Sequence, residues 1–123
     1  MVRIALGLVA SVFLVTAAIA EPITLVISSA RADHDQRFGK PVLTITVTPA
    51  SKQAIGHLSQ NNVGRKNELR VDGKTILTSF FREPLLGGQF QIGGDDMTDD
   101  RAQALAEQLS KPGVRVEVEV VPD

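Results

Sequence analysis

Cysteine, tryptophan and tyrosine are absent from this 123-residue chain, and five phenylalanines are its only aromatic residues. Without cysteine the chain has no disulfide framework, no thiolate metal site and no cysteine nucleophile. A core therefore has to be built mainly from valine, isoleucine, leucine and alanine. The length allows one small domain rather than two.

A large excess of charge of either sign is also lacking. The chain carries 13 Lys and Arg residues against 14 Asp and Glu residues, a formal net charge of −1. Residues 1–20 contain one charged residue, Arg3. Residues 21–123 therefore carry 12 basic residues against 14 acidic ones, a net charge of −2. The basic surface that nucleic-acid binding requires is missing, so we expect no nucleic-acid partner.

One long apolar run is present, and it lies at the N-terminus. Arg3 supplies a positive charge, residues 4–15 are apolar, and Ala18-Ile19-Ala20 offers the small residues that a signal peptidase requires. This layout is typical of a secretory signal peptide. We expect cleavage after Ala20 and a periplasmic or secreted mature protein, residues 21–123, folded as a single domain.

An uncleaved anchor is the alternative for this segment. Residues 4–20 form 17 consecutive residues without a charge, which is at the short edge of what spans a bilayer. No later apolar run reaches that length, so we expect no membrane span after the signal peptide is removed.

Alternation of apolar and polar residues predicts several strands in the remaining chain. The Asp72-Gly73 pair predicts a two-residue hairpin that places Leu69 opposite Ile76. A polar segment at residues 32–40 predicts a loop or a loose hairpin connection. We expect strands in residues 23–31, 43–47, 69–80, 90–92 and 114–120.

Two helices are predicted between these strands. Thr48-Pro49 is a favourable helix start, and Gly64 ends that helix at the latest. Four acids, Asp95, Asp96, Asp99 and Asp100, precede and begin the second helix, where the helix dipole favours negative charge. The order indicates an α+β fold, a ferredoxin-like split β-α-β sandwich. We expect one antiparallel sheet with two helices on one face and an extra N-terminal strand.

Two adjacent phenylalanines are expected on opposite faces of the hairpin. Phe80 shares its parity with Ile76 and is predicted to enter the core. Phe81 is then predicted to point away from the helices, next to Arg82 and Leu85-Leu86, where an exposed ring would form an apolar contact surface. The alternative is that the N-terminal strand or loop 84–88 covers Phe81.

A series of short motifs resembles the head subdomain of the first periplasmic domain of SecD, in the SecDF family of the bacterial protein-export machinery. The resemblance covers residues 40–121 and rests on the order and spacing of five motifs. They are Asn62-Val63-Gly64-Arg65, Val71-Asp72-Gly73-Lys74, Arg82-Glu83-Pro84, Gly87-Gly88 and Gln91-Ile92 followed by Gly94.

The resemblance implies a ferredoxin-like domain outside the membrane that contacts exported polypeptide. It supplies no catalytic residue. The chain lacks the multi-helix membrane portion of a translocase and the base subdomain that flanks the head. We therefore expect a detached binding module and not a complete export motor.

No residue pattern predicts a catalytic or metal site. His34 lies between Asp33 and Asp35, but adjacent loop residues rarely converge on one ion. His57 is predicted on the solvated side of the first helix. The four acids at residues 95, 96, 99 and 100 lack the ligand pattern of a calcium loop. Gly87-Gly88 is followed by no phosphate-loop lysine.

The sequence thus predicts a non-enzymatic binding module without cofactor, metal or catalytic residues. Its expected partner is a polypeptide or protein, either exported chains or the translocase. The alternatives are a small periplasmic hydrolase or ligand-binding protein, marked by a deep pocket around His57 or His34 and a carboxylate, and a homo-oligomerising structural domain. The predicted binding surface consists of Phe81, Arg82, Glu83, Leu85, Leu86, Gly87 and Gly88.

Overall fold

The computed structural model describes residues 21–122. The predicted signal peptide, residues 1–20, lies outside these described residues. Within them the chain forms seven strands and two helices in the order β1 (Ile23–Leu25), β2 (Ile27–His34), β3 (Pro41–Val47), α1 (Pro49–Gln60), β4 (Lys66–Val71), β5 (Lys74–Phe80), β6 (Gln89–Ile92), α2 (Asp99–Leu109) and β7 (Val116–Val120).

The strands form two antiparallel sheets. One has four strands in the order β1-β7-β4-β5, and the other has three in the order β2-β3-β6. The α+β class is confirmed, and the elements from β3 to β7 follow the ferredoxin-like order β-α-β-β-α-β with one additional strand, β6, before α2. The expected single sheet is divided, because β3 pairs with β2 and β6 and not with the strands of the larger sheet.

The N-terminal segment contributes one strand to each sheet. Val26 interrupts it, and its backbone N–H donates a hydrogen bond to Ser51 Oγ on α1 at 2.8 Å. Its carbonyl oxygen accepts a hydrogen bond from the backbone N–H of Thr48 at 3.1 Å. Because both polar groups of Val26 bind the start of α1, the segment leaves one sheet at this residue and enters the other.

The connection between β2 and β3 is a hairpin. Strand β2 continues to His34, which pairs with Pro41, so the loop is shorter than the predicted residues 32–40. The backbone N–H of Asp35 donates to the Lys40 carbonyl at 2.9 Å and closes the turn. Of the two possibilities for this segment, the hairpin connection is the one observed.

The β4–β5 hairpin has the predicted turn but a different register. Asp72 (φ 51°) and Gly73 (φ 86°) both have positive φ, which is the requirement of a type I′ turn. Val71 faces Lys74 as predicted, but a bulge follows, and Leu69 pairs with Leu77 rather than with Ile76.

This bulge reverses the predicted sides of the two phenylalanines. One extra residue on a strand sends every later side chain to the opposite face. Phe81 is therefore buried, with 4% of its surface exposed, and Phe80 is 58% exposed. The prediction that Phe80 enters the core and Phe81 points away from it is wrong for that physical reason, and an exposed patch at Phe81 is absent.

Both helices begin at a threonine. Thr48 Oγ1 lies 3.5 Å from the backbone nitrogen of Ser51, and Pro49 occupies the first turn of α1. Thr98 Oγ1 accepts from the backbone N–H of Arg101 at 3.1 Å at the start of α2. Helix α2 packs on β2 and β3 through its buried residues, which are Ala102, Leu105, Ala106 and Leu109.

The outer face of the four-stranded sheet carries a charged cluster. Glu68 and Glu119 are directly opposite each other on β4 and β7, an arrangement that is repulsive by itself. The guanidinium of Arg70 binds Glu119 and also Glu68, the latter at 2.6 Å. The hydrogen bond from Arg70 lowers the pKa of Glu68, and the hydrogen bonds to Glu119 and Glu68 raise the pKa of Arg70.

Substituting Arg70→Gln is expected to lower the thermal unfolding midpoint at pH 7 by a few degrees, because two facing carboxylates lose their counter-charge. Because the pKa of Glu68 is lowered in the folded protein, its ion pair stabilises the fold fully above the ordinary glutamate pKa of about 4.3. This stabilisation is lost as the pH falls through the lowered pKa. The difference between wild type and variant should therefore shrink at pH 3.

Thermal unfolding of both proteins at pH 7 and pH 3 measures this difference. Arg115→Gln is the control, since Arg115 pairs with Glu117 at 3.1 Å but its side chain is 69% exposed. A midpoint difference for Arg70→Gln that is equal at the two pH values would contradict the role assigned to the cluster.

Candidate functional site

A cleft of about 560 Å³ lies where the two sheets meet. Residues 78–83 and Leu85, at the end of β5 and just beyond it, line it together with residues 90–96 from β6 and the following turn. Residues 40–42, at the start of β3, complete its border with Asp35. We call this feature the inter-sheet cleft.

Two strand edges border the inter-sheet cleft. Within residues 21–122, β5 pairs only with β4, and β6 pairs only with β3, so each is an outer strand of its sheet. An outer strand presents backbone N–H and C=O groups that no neighbouring strand satisfies. The cleft therefore has main-chain hydrogen-bonding groups along two of its borders.

The floor of the inter-sheet cleft is buried and mostly apolar. Ile55 of α1, Leu69 of β4 and Val118 of β7 line it and are at most 4% exposed. Two polar side chains, Ser79 and Asn67, interrupt this surface. Ser79 Oγ donates a hydrogen bond to Asn67 Oδ1 at 3.1 Å. Asn67 is only 6% exposed.

The rim combines aromatic and charged side chains. Phe80 is the most exposed apolar residue of the lining, and Phe90 and Ile92 are half-buried. Acids outnumber bases among the lining residues, which include Lys40, Arg82, Asp35, Glu83, Asp95 and Asp96. Asp96 is paired with Arg101 at 3.1 Å.

The predicted binding surface divides into two groups. Phe81, Arg82, Glu83 and Leu85 line the inter-sheet cleft, whereas Leu86, Gly87 and Gly88 do not. The Phe81 side chain is buried beneath the cleft surface, and Leu86 is 57% exposed but lies outside the cleft. Whether these residues bind a partner stays a prediction.

Helix α1 holds the segment that follows β5. Ser59, fully buried, accepts a hydrogen bond from the backbone N–H of Leu85 at 2.8 Å and donates one to the Gly56 carbonyl at 3.1 Å. A Cβ on Gly56 would lie 3.3 Å from Leu86 Cδ2, so this glycine permits the close approach of the segment. Gly88 (φ +77°) ends it, and its carbonyl accepts from the backbone N–H of Val47 at 2.9 Å.

Substituting Ser59→Ala is expected to destabilise the protein by about 1–3 kcal/mol, because the Leu85 N–H loses its acceptor in a part-buried position. Urea unfolding measures this cost. Ser110→Ala serves as the control, since the Ser110 hydroxyl is exposed and lies 3.5 Å from its acceptor. Equal stabilities of the Ser59→Ala variant and wild type would show that the hydrogen bond does not hold the segment.

Neither histidine lies in the inter-sheet cleft. His34 Nε2 is 2.7 Å from Asp99 Oδ1 at the surface, with the two side chains 57% and 71% exposed. His57 is also exposed and contacts the Asn61 side chain at 3.2 Å. In the described part of the chain, no three His, Asp or Glu side chains are grouped to hold a metal ion. The acids before α2 precede or occupy its first turn, as expected for helix-start residues.

The sequence does not single out Asn67, Ser79, Phe80, Phe90 and Ile92 as members of one site, although all of them line the inter-sheet cleft. They come from three strands in two sheets, so their meeting depends on the pairing of the strands. One sequence signal marks Asn67 as unusual. It lies two residues before Leu69, at a position of β4 where the apolar–polar alternation predicts an apolar side chain.

Among the helices of residues 21–122, none combines the length and apolar character needed to cross a membrane.

Comparison with known proteins identifies the relatives of this chain. Residues 20–113 match the family model described as SecDF, P1 head subdomain. The protein translocase subunit SecD of Acidaminococcus fermentans is 32% identical over 95 residues, which are 77% of this chain and 22% of that protein. SecD of Thermobaculum terrenum is 27% identical over 95 residues, covering 18% of its length. The chain therefore spans about a fifth of these curated relatives.

Solved structures give the same relationship. The crystal structure of SecDF from Thermus thermophilus, described as a translocon-associated membrane protein, superposes with a TM-score of 0.60 at 27% identity. The match covers 76% of this chain and 13% of that one. Since the family model spans most of the chain, this protein belongs to the SecDF P1 head subdomain family.

Proposed function

We propose that this protein is a binding module for extended polypeptide segments, that it takes part in protein export, and that it catalyses no reaction. The curated relatives are protein translocase subunits, which makes polypeptide the ligand class to consider first. The observation that carries the proposal is the inter-sheet cleft with an outer strand on each of two borders.

The cleft matches the requirements of strand addition. An extended peptide can pair its main chain with an outer strand, and this recognition tolerates many sequences. Phe80, Phe90 and Ile92 offer apolar contacts beside the strands. The excess of acids at the rim favours a segment flanked by basic residues over one flanked by acidic residues.

We place the module outside the cytoplasmic membrane, in the periplasm. The support is the signal-like layout of residues 1–20, and residues 21–123 then form the exported domain. The partner is an exported chain, or the translocase that handles it.

Nuclear magnetic resonance of the isotope-labelled protein tests the proposal. The titrant is an uncharged peptide of about six residues with alternating valine and threonine, the length of an average strand. We expect amide shifts along β5 and β6 and none along β1, which is the other outer strand of the larger sheet. Shifts confined to β1, or no shifts at millimolar peptide, would overturn the proposal.

Light scattering on the same samples separates a competing role. If the outer strands pair with a second copy of the chain, the particle mass doubles without peptide and falls as peptide is added. A monomer at all concentrations is the result expected for a peptide-binding module.

A further inference from the structure

The floor of the inter-sheet cleft contains a buried carboxamide side chain of which only the oxygen end is hydrogen-bonded to another described residue. Asn67 is 6% exposed and lines the cleft, and its Oδ1 accepts from Ser79 Oγ at 3.1 Å. Within the described residues, its Nδ2 donates to no protein acceptor. A carboxamide nitrogen carries two N–H donors. In residues 21–122 no fully enclosed side-chain nitrogen or oxygen atom lacks a partner, so Nδ2 reaches the solvent of the inter-sheet cleft.

The position of Asn67 makes this arrangement unusual for a packing residue. It occupies the same inward row of β4 as Leu69 and Val71, both of which are buried core residues. Ser79 is its direct partner across the β4–β5 ladder. Two polar residues thus face each other in the apolar floor, where a leucine and an alanine would pack without any polar group to satisfy.

In the structure the Ser79 hydroxyl binds one end of the Asn67 carboxamide. Because the Ser79 hydroxyl binds Oδ1, the Nδ2 end is the one left to meet a ligand. In binding pockets that are mostly apolar, a few placed polar groups set the orientation of the ligand. The group that complements two N–H donors is a neutral or negative oxygen acceptor.

We propose that Asn67 donates a hydrogen bond to a main-chain carbonyl of an extended polypeptide segment lying in the inter-sheet cleft, and that Ser79 holds the amide in the required orientation. This inference rests on the proposed function. A main-chain carbonyl is favoured over a carboxylate because acids outnumber bases among the lining residues and repel an anion. Asn67 then sets the register of the segment against β5 and β6.

The first test compares peptide affinity and stability in the Asn67→Leu variant. The variant removes the donors and fills the floor with an apolar side chain, so we expect unfolding stability equal to or above that of wild type. Peptide affinity should fall roughly three- to tenfold, the change that one net hydrogen bond gives. The peptide affinity of the Ser79→Ala variant should lie between those of wild type and Asn67→Leu. Unchanged affinity in folded Asn67→Leu would overturn the inference.

A second test combines single changes in the peptide with the Asn67→Leu variant. The valine–threonine peptide is prepared as a series in which one amide at a time is replaced by an ester, which removes one N–H donor and weakens the carbonyl acceptor. We expect one position to lose more affinity than its neighbours and to lose nothing further in Asn67→Leu. A uniform loss along the series would overturn the role of Asn67. Absence of binding by the parent peptide would instead refute the proposed function itself.

Discussion

Replacing Phe81 by alanine is expected to destabilise the protein by about 3–5 kcal/mol, the usual cost of removing a buried phenylalanine ring. Phe81 is 4% exposed and belongs to the central core cluster. Its backbone is also fixed, because its N–H donates to the Arg65 carbonyl at 3.1 Å and its carbonyl accepts from the Gly64 N–H at 2.7 Å. Urea unfolding measures the loss.

The adjacent residue supplies a matched control for this experiment. Phe80 has the same ring but is 58% exposed, so Phe80→Ala is expected to change stability by no more than about 0.5 kcal/mol. The contrast tests the bulge in the β4–β5 hairpin directly, since a regular hairpin would reverse the two results. A larger loss for Phe80→Ala than for Phe81→Ala would contradict the observed register.

Replacing Ile45 by alanine is expected to cost about 2–5 kcal/mol. Ile45 lies at the centre of β3, is fully buried, and pairs with Ala30 of β2 on one side and Phe90 of β6 on the other. Its side chain therefore stabilises the three-stranded sheet, which is the sheet that the single-sheet prediction did not include. Urea unfolding is again the measurement.

The conservative change at the same position calibrates that loss. Ile45→Val removes one methylene and is expected to cost about 0.5–1.5 kcal/mol. If the alanine variant costs no more than the valine variant, Ile45 is not enclosed by the core, and the central position of β3 would be wrong.

Local patterns were sufficient to predict most of the elements. The Asp72-Gly73 turn, the threonine start of α1 and the alternating valines of β7 depend on neighbours within a few residues, and the structure has all three. Such features are encoded by backbone preference and by the period of the apolar residues, which act over short distances.

The features that prediction missed depend on how the strands pair and on tertiary contacts. No local signal marks Ile76 as the extra residue of the bulge, yet that residue decides the sides of Phe80 and Phe81. The division into two sheets depends on Val26 binding the start of α1 rather than a neighbouring strand. The inter-sheet cleft follows from both, so its complete set of residues was beyond local reasoning.

Photo-crosslinking from position 80 in living cells tests the central claim most directly. A crosslinking amino acid replaces the exposed Phe80 at the rim of the inter-sheet cleft, and position 26, which is exposed but outside the cleft, is the control. Mass spectrometry identifies the trapped proteins. We expect many unrelated exported polypeptides from position 80 and few from position 26. Equal yields at the two positions, or no trapped polypeptide from position 80, would contradict the account.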